Sequence, residues 1–359
     1  MTDKWMIYGA NGYTGKLIAT EAQKRGFRPV LGGRNQHAIR ALATDLDLEW
    51  RSFDAVDPQV VAHQLHDIDL VLNCAGPFTA TINTFLAACL QSQTHYLDIS
   101  GELEVFEKCF RDNAKAKDKG ILLCPGVAFD IFPTESVAAK LKMLLPDAHS
   151  IKLGFDGKME LSGGSTLTLL DGIGNPGLGV FMVREHGRLL SLSRPKSEKL
   201  RFQHRAKSKP AMAITWADLN GAFYSTQVEN IAVYIPATIV NRMSFAMMHA
   251  LKPLFEWKSV RKVLGNIIAT LMTGPSLRQL ERGAMTVCGV AENPLGQRVE
   301  VFLNLPHGYR FTCLAALALV EAALKTTGAA GYFTPSMLVG PDFVQSIEGC
   351  SDYKIVRGS

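Results

Sequence analysis

Short hydrophobic runs alternate with amphipathic segments over residues 1–125. The runs are apolar on both faces, a pattern typical of parallel strands that are covered by helices on both sides. They lie at Trp5–Tyr8, Pro29–Leu31, Leu48–Phe53, Leu70–Cys74, Tyr96–Ile99 and Ile121–Cys124. Helical periodicity separates them at Gly15–Lys24, Gln36–Asp45, Pro58–Leu65, Thr81–Gln91 and Leu103–Lys117. Six strand patterns alternating with five helical ones predict an α/β fold with a Rossmann-type, doubly wound parallel sheet.

This alternation ends after Pro125, and the remaining chain mixes strand and helix patterns in no regular order. Strand patterns lie at Ile151–Asp156, Asn230–Ile235, Met285–Glu292 and Gln297–Leu305, and helical ones at Ile239–Thr273 and Thr312–Lys325. A chain of 359 residues is expected to form two domains. We expect a Rossmann domain at 1–125 and a second, α+β domain for substrate binding or dimerisation at 126–325, with 326–359 packing back on the first.

A glycine-rich turn follows the first strand pattern, where the first helix begins. It reads Gly9-Ala10-Asn11-Gly12-Tyr13-Thr14-Gly15, a variant of the dinucleotide-binding fingerprint. Gly9 permits the tight turn, Gly12 lets the backbone approach a pyrophosphate, and Gly15 lets the helix pack against the sheet. The N–H groups at the start of that helix then face the phosphates. The turn therefore predicts a dinucleotide site that includes Asn11, Tyr13 and Thr14.

The end of the second strand pattern distinguishes the two nicotinamide dinucleotides. An NAD site carries Asp or Glu there to bind the ribose hydroxyls. This chain reads Leu31-Gly32-Gly33-Arg34-Asn35, without a carboxylate. The Arg34 guanidinium can pair with a 2′-phosphate through two charge-assisted hydrogen bonds and stack on the adenine. We therefore predict NADP(H) as the cofactor, with Arg34 and Asn35 at the phosphate; the alternative is a surface arginine at a helix start.

Further cofactor contacts are expected where later strands end. Asp54 follows the third strand pattern and either reaches the adenine or caps a helix. The candidates at the ends of the fourth and fifth strand patterns are Asn73, Ala75, Gly76, Pro77 and Ser100. A glycine at such a strand end lets the cofactor ribose pass closely. Ser100 is also a candidate helix cap, because Leu103 and Glu104 follow it at the start of a helical pattern.

Three carboxylates, Asp98, Glu102 and Asp130, lie on the loops after the fifth and sixth strand patterns. The nicotinamide is expected beyond these strand ends, so a carboxyl group there can move a proton alongside hydride transfer. Structural roles are the alternative for each of them. The Tyr-x-x-x-Lys pair of short-chain dehydrogenases is absent at the expected place, since Ser100 follows Tyr96 at that spacing. Carbonyl reduction by such a pair is therefore disfavoured.

Composition narrows the remaining classes of function. The formal charge is +5, and no zinc-finger or RNA-binding signature occurs, so we expect no nucleic-acid partner. The seven cysteines form no CxxC, which indicates reduced thiols in a cytoplasmic protein, and no cluster has metal-ligand spacing. A strand pattern begins almost at the first residue, so we expect no signal peptide. No uncharged apolar run is long enough to predict a membrane-spanning helix.

Two later segments suggest partners. The segment from Arg184 to Lys209 contains nine Lys or Arg residues and two Glu residues, which gives it a local charge of +7. Such a run is typical of a solvated surface, and the alternative is an anionic partner such as an acyl carrier, a CoA tail or lipid headgroups. Residues 239–273 combine Met and aromatic side chains with Lys and Arg. That segment is interpreted as a core or homodimer helix, or as a peripheral contact with a membrane.

These motifs resemble the saccharopine dehydrogenase-like oxidoreductases, a group that includes trans-acting enoyl reductases. The matching pieces are Gly9–Gly15, Gly32–Arg34, Asn73–Phe78, Tyr96–Glu102 and Pro125–Glu135. Weaker similarities lie at Ser162–Thr166, Gly274–Ser276 and Thr334–Pro335. The resemblance implies NADP(H) binding and hydride transfer, and it leaves the substrate open.

The sequence therefore predicts an NADPH-dependent oxidoreductase that delivers hydride to an enoyl or imine-like bond of a small-molecule or acyl substrate, apolar and lipid-like. Two alternatives remain. A non-catalytic NADP-sensing regulator or scaffold is favoured by the missing Tyr/Lys pair. An amino-acid reductase of the saccharopine type would need arginines that clamp substrate carboxylates in the second domain, and Arg184, Arg188 and Arg310 are candidates.

Overall fold

The computed structural model describes residues 3–158, 162–167, 180–255, 272 and 274–358, with the single positions 257, 260, 263, 265 and 267. Within the segment 239–273, the cations Lys258, Arg261 and Lys262 therefore lie outside the described residues. The chain divides into two compact units, 1–130 with 309–339 and 131–308 with 340–359. The first unit thus ends at residue 130, whereas the expected boundary lies at residue 125. The division of the C-terminal part also differs from the expectation, since 309–339 belongs to the first unit and 340–359 to the second.

Strands and helices alternate regularly up to β6 and in a less regular order after it. The strands are β1 Trp5–Tyr8, β2 Val30–Gly33, β3 Trp50–Ser52, β4 Leu70–Asn73, β5 His95–Asp98, β6 Leu122–Cys124, β7 Ser150–Gly157, β8 Met182–Glu185, β9 Arg188–Ser191, β10 Ser197–Leu200, β11 Lys209–Ile214, β12 Asn230–Pro236, β13 Ala284–Glu292, β14 Arg298–Pro306, β15 Gly331–Tyr332 and β16 Lys354–Gly358. The first helices are α1 Tyr13–Lys24, α2 Gln36–Leu46, α3 Pro58–Gln64, α4 Phe78–Ser92, α5 Leu103–Arg111, α6 Asn113–Lys119 and α7 Phe132–Leu144. Later helices span Asp218–Thr226, Ile239–Phe255, Leu277–Arg282, Gly308–Lys325 and Pro335–Val339, and Phe343–Ser346 forms a 3₁₀ helix.

The first unit contains a parallel sheet with the strand order β15-β6-β5-β4-β1-β2-β3. Strand order reverses between β1 and β4, the place where open α/β sheets bind their ligands. Tyr8 is in register with Asn73, and Asn73 with Asp98, so the carboxyl ends of β1, β4 and β5 lie side by side. The Rossmann-type α/β class predicted from the hydrophobic pattern is confirmed.

Burial explains why these strands form as the pattern predicts. All residues of β1 and β4 are buried, as expected when helices cover both faces of a sheet. Each fully buried aliphatic side chain contributes about 1.5–3 kcal/mol relative to its exposed state. The predicted helix Leu103–Lys117 is instead two helices, because the chain turns at Asp112, where it ends α5 and begins α6.

Two C-terminal segments account for the difference in domain boundaries. The helix Gly308–Lys325 belongs to the first unit from Tyr309 on, where the Phe129 amide donates a hydrogen bond of 3.1 Å to Thr312 Oγ1. Strand β15 extends the parallel sheet beside β6. By contrast, β16 pairs antiparallel with β14 in the second unit. Periodicity predicts an apolar helix at Thr312–Lys325, but it carries no information about which domain the helix packs against.

The second unit is built on a mixed sheet with the order β10-β11-β12-β7-β13-β14-β16, with β8 pairing to β12 and to β9. The predicted hairpin is present, because β13 and β14 pair antiparallel with Glu292 opposite Arg298. The sequence pattern did not predict α7. Its residues from Phe132 to Ala138 are all buried, so no amphipathic period marks the helix.

The basic stretch Arg184–Lys209 contains strands β9 and β10 together with the adjoining ends of β8 and β11, so it is not a uniformly solvated run. Arg184 is buried, and its guanidinium donates hydrogen bonds to Leu219 O at 2.6 Å and to Asn220 Oδ1 at 2.5 Å. It also stacks on Phe223, 4.0 Å from the ring centre. The prediction of a solvated surface is therefore wrong at Arg184, because carbonyl acceptors and an aromatic face compensate its burial.

Two other cations of this stretch are paired with acids on other strands of the second unit. Arg201 lies 2.7 Å from Glu300, and Lys209 lies 2.5 Å from Asp156. Charge counted along the sequence therefore overstates the field of this surface, since Glu300 and Asp156 come from distant parts of the chain. Arg188, an alternative substrate clamp, is exposed on β9.

Candidate cofactor and active site

The glycine turn after β1 is closely packed against the end of β4. Gly9 has a φ of +79°, and a Cβ atom on it would lie 2.9 Å from the Ala75 Cβ. A Cβ on Gly15 would lie 2.9 Å from the Ala10 Cα, too close for any side chain. The Gly9 amide donates to Gly32 O at 2.8 Å, which ties the turn to β2. Glycine is therefore required at positions 9 and 15, as the fingerprint predicts.

Helix α1 begins without a side-chain cap. Its N-cap is Gly12, whose side chain offers no acceptor, and the first turn contains no acidic residue. Asn11 is exposed, and Tyr13 and Thr14 are half-buried at this end. The first N–H groups of an α-helix have no acceptor within the helix, and the helix dipole favours an anion there. The residues of this turn thus fit a phosphate group.

Arg34 is exposed immediately after β2, next to the glycine turn. A Cβ on Gly33 would lie 3.0 Å from Asn11 Oδ1, so the end of β2 and the turn are neighbours. No carboxylate follows β2, and a guanidinium placed there fits the 2′-phosphate of NADP(H). Asn35 has a structural role in addition to its predicted one, because its Oδ1 accepts from the Ala38 amide at 3.1 Å and caps α2.

Asp54 and Asn73 have different surroundings at the strand ends. Asp54 is exposed after β3, on the side of Arg34. Asn73 is fully buried, and its Oδ1 accepts from the Ala75 amide at 3.0 Å. Its Nδ2 donates to the Tyr96 hydroxyl at 3.3 Å. Asn73 therefore holds the loop after β4, and its contact with the cofactor stays a prediction.

The loop after β4 leads into α4 through Gly76 and Pro77, which are joined by a cis peptide bond. Gly76 is exposed, and Pro77 is the N-cap of α4. Glu102 closes this helix end, because its two carboxylate oxygens accept from the amides of Phe78 at 2.9 Å and Thr79 at 2.7 Å. A carboxylate held by two helix-terminal amides is a strong cap. The structure thus gives Glu102 a structural role as the cap of α4.

Asp98 and Ser100 connect the ends of β5 and β6. Asp98 is fully buried, and its Oδ1 accepts from the amides of Ser100 and Gly126, each at 2.9 Å. Ser100 is also buried, and its Oγ accepts from the Glu102 amide at 3.0 Å. Burial raises the pKa of the Asp98 carboxyl to about 6, although the Gly126 and Ser100 amides oppose this shift. Both side chains therefore hold the loop in place.

Asp130, the third carboxylate, lies next to Gly101 at the end of the first unit. It is half-buried where the first unit ends, and a Cβ on Gly101 would lie 3.2 Å from its Oδ2. Burial raises the pKa of Asp130 to about 6. A carboxyl group with this pKa is partly protonated near neutral pH and can donate a proton. Asp130 is therefore the best candidate for acid–base chemistry among the predicted residues.

Sequence reasoning missed three residues around this site. The Tyr96 hydroxyl accepts from Asn73 in the buried network, and the Gly126 amide binds Asp98. Tyr309 packs edge-on against Tyr13, with 5.1 Å between ring centres. The sequence carries a local signal for Gly126, a glycine shortly after a strand pattern, and its φ of +76° in the structure explains why glycine is favoured there. Tyr309 had none, because it joins the unit from a distant part of the sequence.

The described His, Cys, Asp and Glu residues include no group of three that could hold a metal ion. All seven cysteines are free thiols, and five of them are buried. Burial raises the pKa of Cys74 above its ordinary range, so this thiol beside the β4 loop is a poor nucleophile at neutral pH.

Comparison with known proteins agrees with this geometry. A family model described as the saccharopine dehydrogenase NADP binding domain matches residues 5–124. A probable mitochondrial saccharopine dehydrogenase-like oxidoreductase of Arabidopsis thaliana is 31% identical over 152 residues, which cover 36% of this chain and 32% of that protein. A trans-acting enoyl reductase of Mycobacterium tuberculosis is 30% identical over 139 residues, covering 36% of this chain and 33% of that protein.

Among solved structures, apo saccharopine dehydrogenase (L-Glu forming) from Saccharomyces cerevisiae is similar over 99% of this chain and 100% of its own, with a TM-score of 0.62 and 12% identity. At that identity the likeness concerns the fold alone. The chain spans about a third of the length of the curated relatives it matches. The residues that the family model matches contain the strands β1 to β6.

Proposed function

We propose that this chain, whose residues 5–124 form an NADP-binding domain of the saccharopine dehydrogenase type, is an NADPH-dependent reductase. We propose an enoyl or imine-like bond of an apolar substrate as its target. One observation carries the proposal: an uncapped helix end beside Arg34, and the half-buried Asp130, belong to the same unit. The enoyl reductase among the relatives supports the choice of bond.

The chain's own residues bind and orient the cofactor in this scheme. The amides at the start of α1 hold the pyrophosphate, and Gly9 and Gly15 allow the backbone to approach it. Arg34 pairs with the 2′-phosphate, and Asp54, on the same side, reaches the adenosine. The buried Asn73 and the Glu102 cap keep the β4 loop in one conformation. The loop can then support the ribose without reorganising when the cofactor binds.

Reduction of a C=C or C=N bond adds one hydride and one proton. NADPH, when bound, supplies the hydride from its nicotinamide ring. The proton needs a group that is protonated near the working pH, and burial raises the pKa of Asp130 into that range, to about 6. Tyr96 is unsuited to this role, because its hydroxyl is buried in the network with Asn73 and burial raises its pKa further.

Steady-state turnover tests this proposal. Purified protein is mixed with NADPH and either a medium-chain 2-enoyl thioester or a preformed imine, and the loss of NADPH absorbance is followed. We expect turnover whose rate falls as the pH rises above about 6, because Asp130 then loses its proton. Asp130→Asn should lower kcat about a hundredfold and remove this pH dependence. Asp118→Asn, an exposed aspartate of the same unit, is the matched control.

The alternatives give distinct outcomes in the same assay. Tight NADPH binding without turnover of either substrate indicates an NADP sensor and overturns the reductase. Turnover only with an amino acid and an oxo acid together indicates a saccharopine-type amino-acid reductase. An unchanged pH profile in Asp130→Asn removes Asp130 from the proton transfer while leaving the reductase in place.

A further inference from the structure

The helix Ile239–Phe255 in the second unit has a wide apolar face that is exposed. Large hydrophobic side chains are exposed along it at Ile239, Val240, Met243, Met247, Leu251 and Leu254. Most of Met243 is accessible, 68% of its surface. Contiguous apolar surface of this kind is rare on a folded protein and marks an interaction site. We propose that this face is a docking surface for an anionic lipid bilayer.

The helix packs through its opposite side. The half-buried Phe245 contacts Phe181 with 6.3 Å between ring centres, and His249, exposed at the edge of this side, lies 5.6 Å from the same ring. At about 100° per residue, the six exposed positions cover an arc of about 120° that excludes Phe245 and His249. Ala246 and Ala250, also exposed, extend the same arc without adding a polar group. The helix is therefore held to the unit by one face and presents a continuous hydrophobic face on the other.

Charge on this helix selects the occupant. Residues 239–255 contain Arg242 and Lys252 and no Asp or Glu. The next residues of the sequence add Lys258, Arg261 and Lys262 against one acid, Glu256. Lipid phosphates complement the charge of Arg242, which is exposed beside the apolar face. A second copy of the chain would bring the same cations together without an acid from the helix to pair with them.

Trp257 adds an aromatic side chain of the kind that favours the headgroup region. It lies two residues after the last residue of the helix, Phe255, and 68% of its surface is exposed. In the part of the chain that the structure describes, no helix is long and apolar enough to cross a bilayer. The proposed contact is therefore peripheral: the helix lies in the interface plane, with its apolar face among the acyl chains.

Vesicle sedimentation tests the proposal on the full chain. We expect the protein to pellet with vesicles that contain phosphatidylglycerol and to stay in solution with pure phosphatidylcholine vesicles. Added salt should weaken binding, because it screens the attraction. Trp257 fluorescence should shift to the blue on binding, and Trp257→Phe should remove the shift. Arg242→Gln should weaken binding to anionic vesicles about fivefold.

A pair of double variants separates a docking face from a general effect of added charge. Met243→Glu with Met247→Glu places two acids on the exposed face, and binding to anionic vesicles should be lost. Met143→Glu with Met337→Glu makes the same change at two other exposed methionines and should bind like the parent protein. All four side chains are exposed, so we expect both variants to fold; circular dichroism checks this.

Three results overturn the proposal. They are failure of the parent protein to bind anionic vesicles, equal binding to neutral vesicles, and vesicle binding retained by the Met243/Met247 variant. A dimer in analytical ultracentrifugation that only the Met243/Met247 variant loses, without vesicle binding, assigns the face to a second copy instead. None of these readouts depends on turnover, so the proposal and the reductase can fail separately.

Discussion

Two helices begin at the same edge of the parallel sheet and differ in how their first amides are satisfied. Helix α1 follows β1 and begins at Gly12 without a side-chain cap, whereas α4 follows the adjacent β4 and receives both oxygens of Glu102. An α-helix needs an acceptor at this end in either case. The protein supplies the anion at α4, and at α1 we propose that the phosphate of the cofactor takes this place. The capping pattern thus distinguishes a binding end from a structural end.

The residues around the two ends differ in the same way. Near α4, the buried side chains of Asn73, Asp98 and Ser100 all accept hydrogen bonds from backbone amides. Near α1, Asn11, Gly12 and Arg34 are exposed. Polar groups that must hold a loop are engaged by the backbone, and groups that must meet a ligand remain accessible. Four changes test this comparison, in order of decreasing effect.

Gly12→Asp would give α1 a carboxylate of its own, like that of α4. Position 12 has an extended φ of −70°, and a Cβ there would lie 3.2 Å from Gly9 O, so the helix should lose no more than about 1 kcal/mol of stability. NADPH and NADH affinity should both fall about a thousandfold, because like charges placed across an interface cost several kcal/mol. Calorimetric titration measures this. Gly12→Asn, which adds a side chain of the same size without the charge, is the control for the lost approach of the backbone to the pyrophosphate. It should lose less affinity than Gly12→Asp, and equal losses would contradict the electrostatic account.

Asp98→Asn tests how the buried Asp98 carboxyl holds the loop after β5, and the pH dependence of stability is the measure. Burial raises the pKa of Asp98 from 3.8 to about 6, so between these values the folded protein binds the proton more tightly than the unfolded chain. The free energy of unfolding therefore falls as the pH rises through this window, by about 3 kcal/mol in total. Urea unfolding from pH 4 to 7 should show a fall that is larger in the parent protein than in the variant by this amount, because Asp130, whose pKa burial also raises to about 6, contributes to both curves. Parallel curves would show that Asp98 ionises normally in the folded state.

Arg34→Asp tests the proposed contact between Arg34 and the 2′-phosphate of the cofactor, beside the uncapped start of α1. Loss of a charge-assisted contact costs about 2 kcal/mol, so NADPH affinity should drop about thirtyfold, with little change for NADH. Competition binding with the two cofactors measures the ratio. Arg40→Asp makes the same charge change at another exposed position of the following helix, α2, and should leave the ratio unaltered. An equal loss for both cofactors would remove the 2′-phosphate from the role of Arg34.

Glu102→Gln weakens the cap at the start of α4. The amide retains one acceptor and loses the charge at the helix terminus, so the free energy of unfolding should fall by about 1 kcal/mol. Glu107→Gln, which breaks only an exposed ion pair with Arg111, should cost less than half as much. Denaturant unfolding compares the two. A larger effect from Glu107 would show that the hydrogen bonds of Glu102 contribute little to stability.

Much of the first unit could be predicted because its signals are local. The ends of the hydrophobic runs lie within two residues of the ends of strands β1 to β6. The Gly9–Gly15 turn and Arg34 predicted NADP(H), the cofactor that the NADP-binding family model supports. Side-chain roles were harder to predict. The sequence offers Asp98 and Glu102, four residues apart, equally as catalytic candidates. Only their hydrogen-bond partners in the structure, the α4 amides for Glu102 and the Gly126 amide for Asp98, show which backbone segments they hold.

The amino-acid sequence by itself determined the alternation of strands and helices, the glycine turn and the absence of an acid after β2, because period, backbone freedom and charge are properties of neighbouring residues. Tertiary structure alone decided that Tyr309 and Thr312 join the first unit, that Arg184 is buried over Phe223, and that one face of Ile239–Phe255 is exposed. Each of these depends on which distant segment supplies the packing surface or the hydrogen-bond partner. A hydrophobic period shows that a face is apolar, and only the fold determines whether the protein itself covers it.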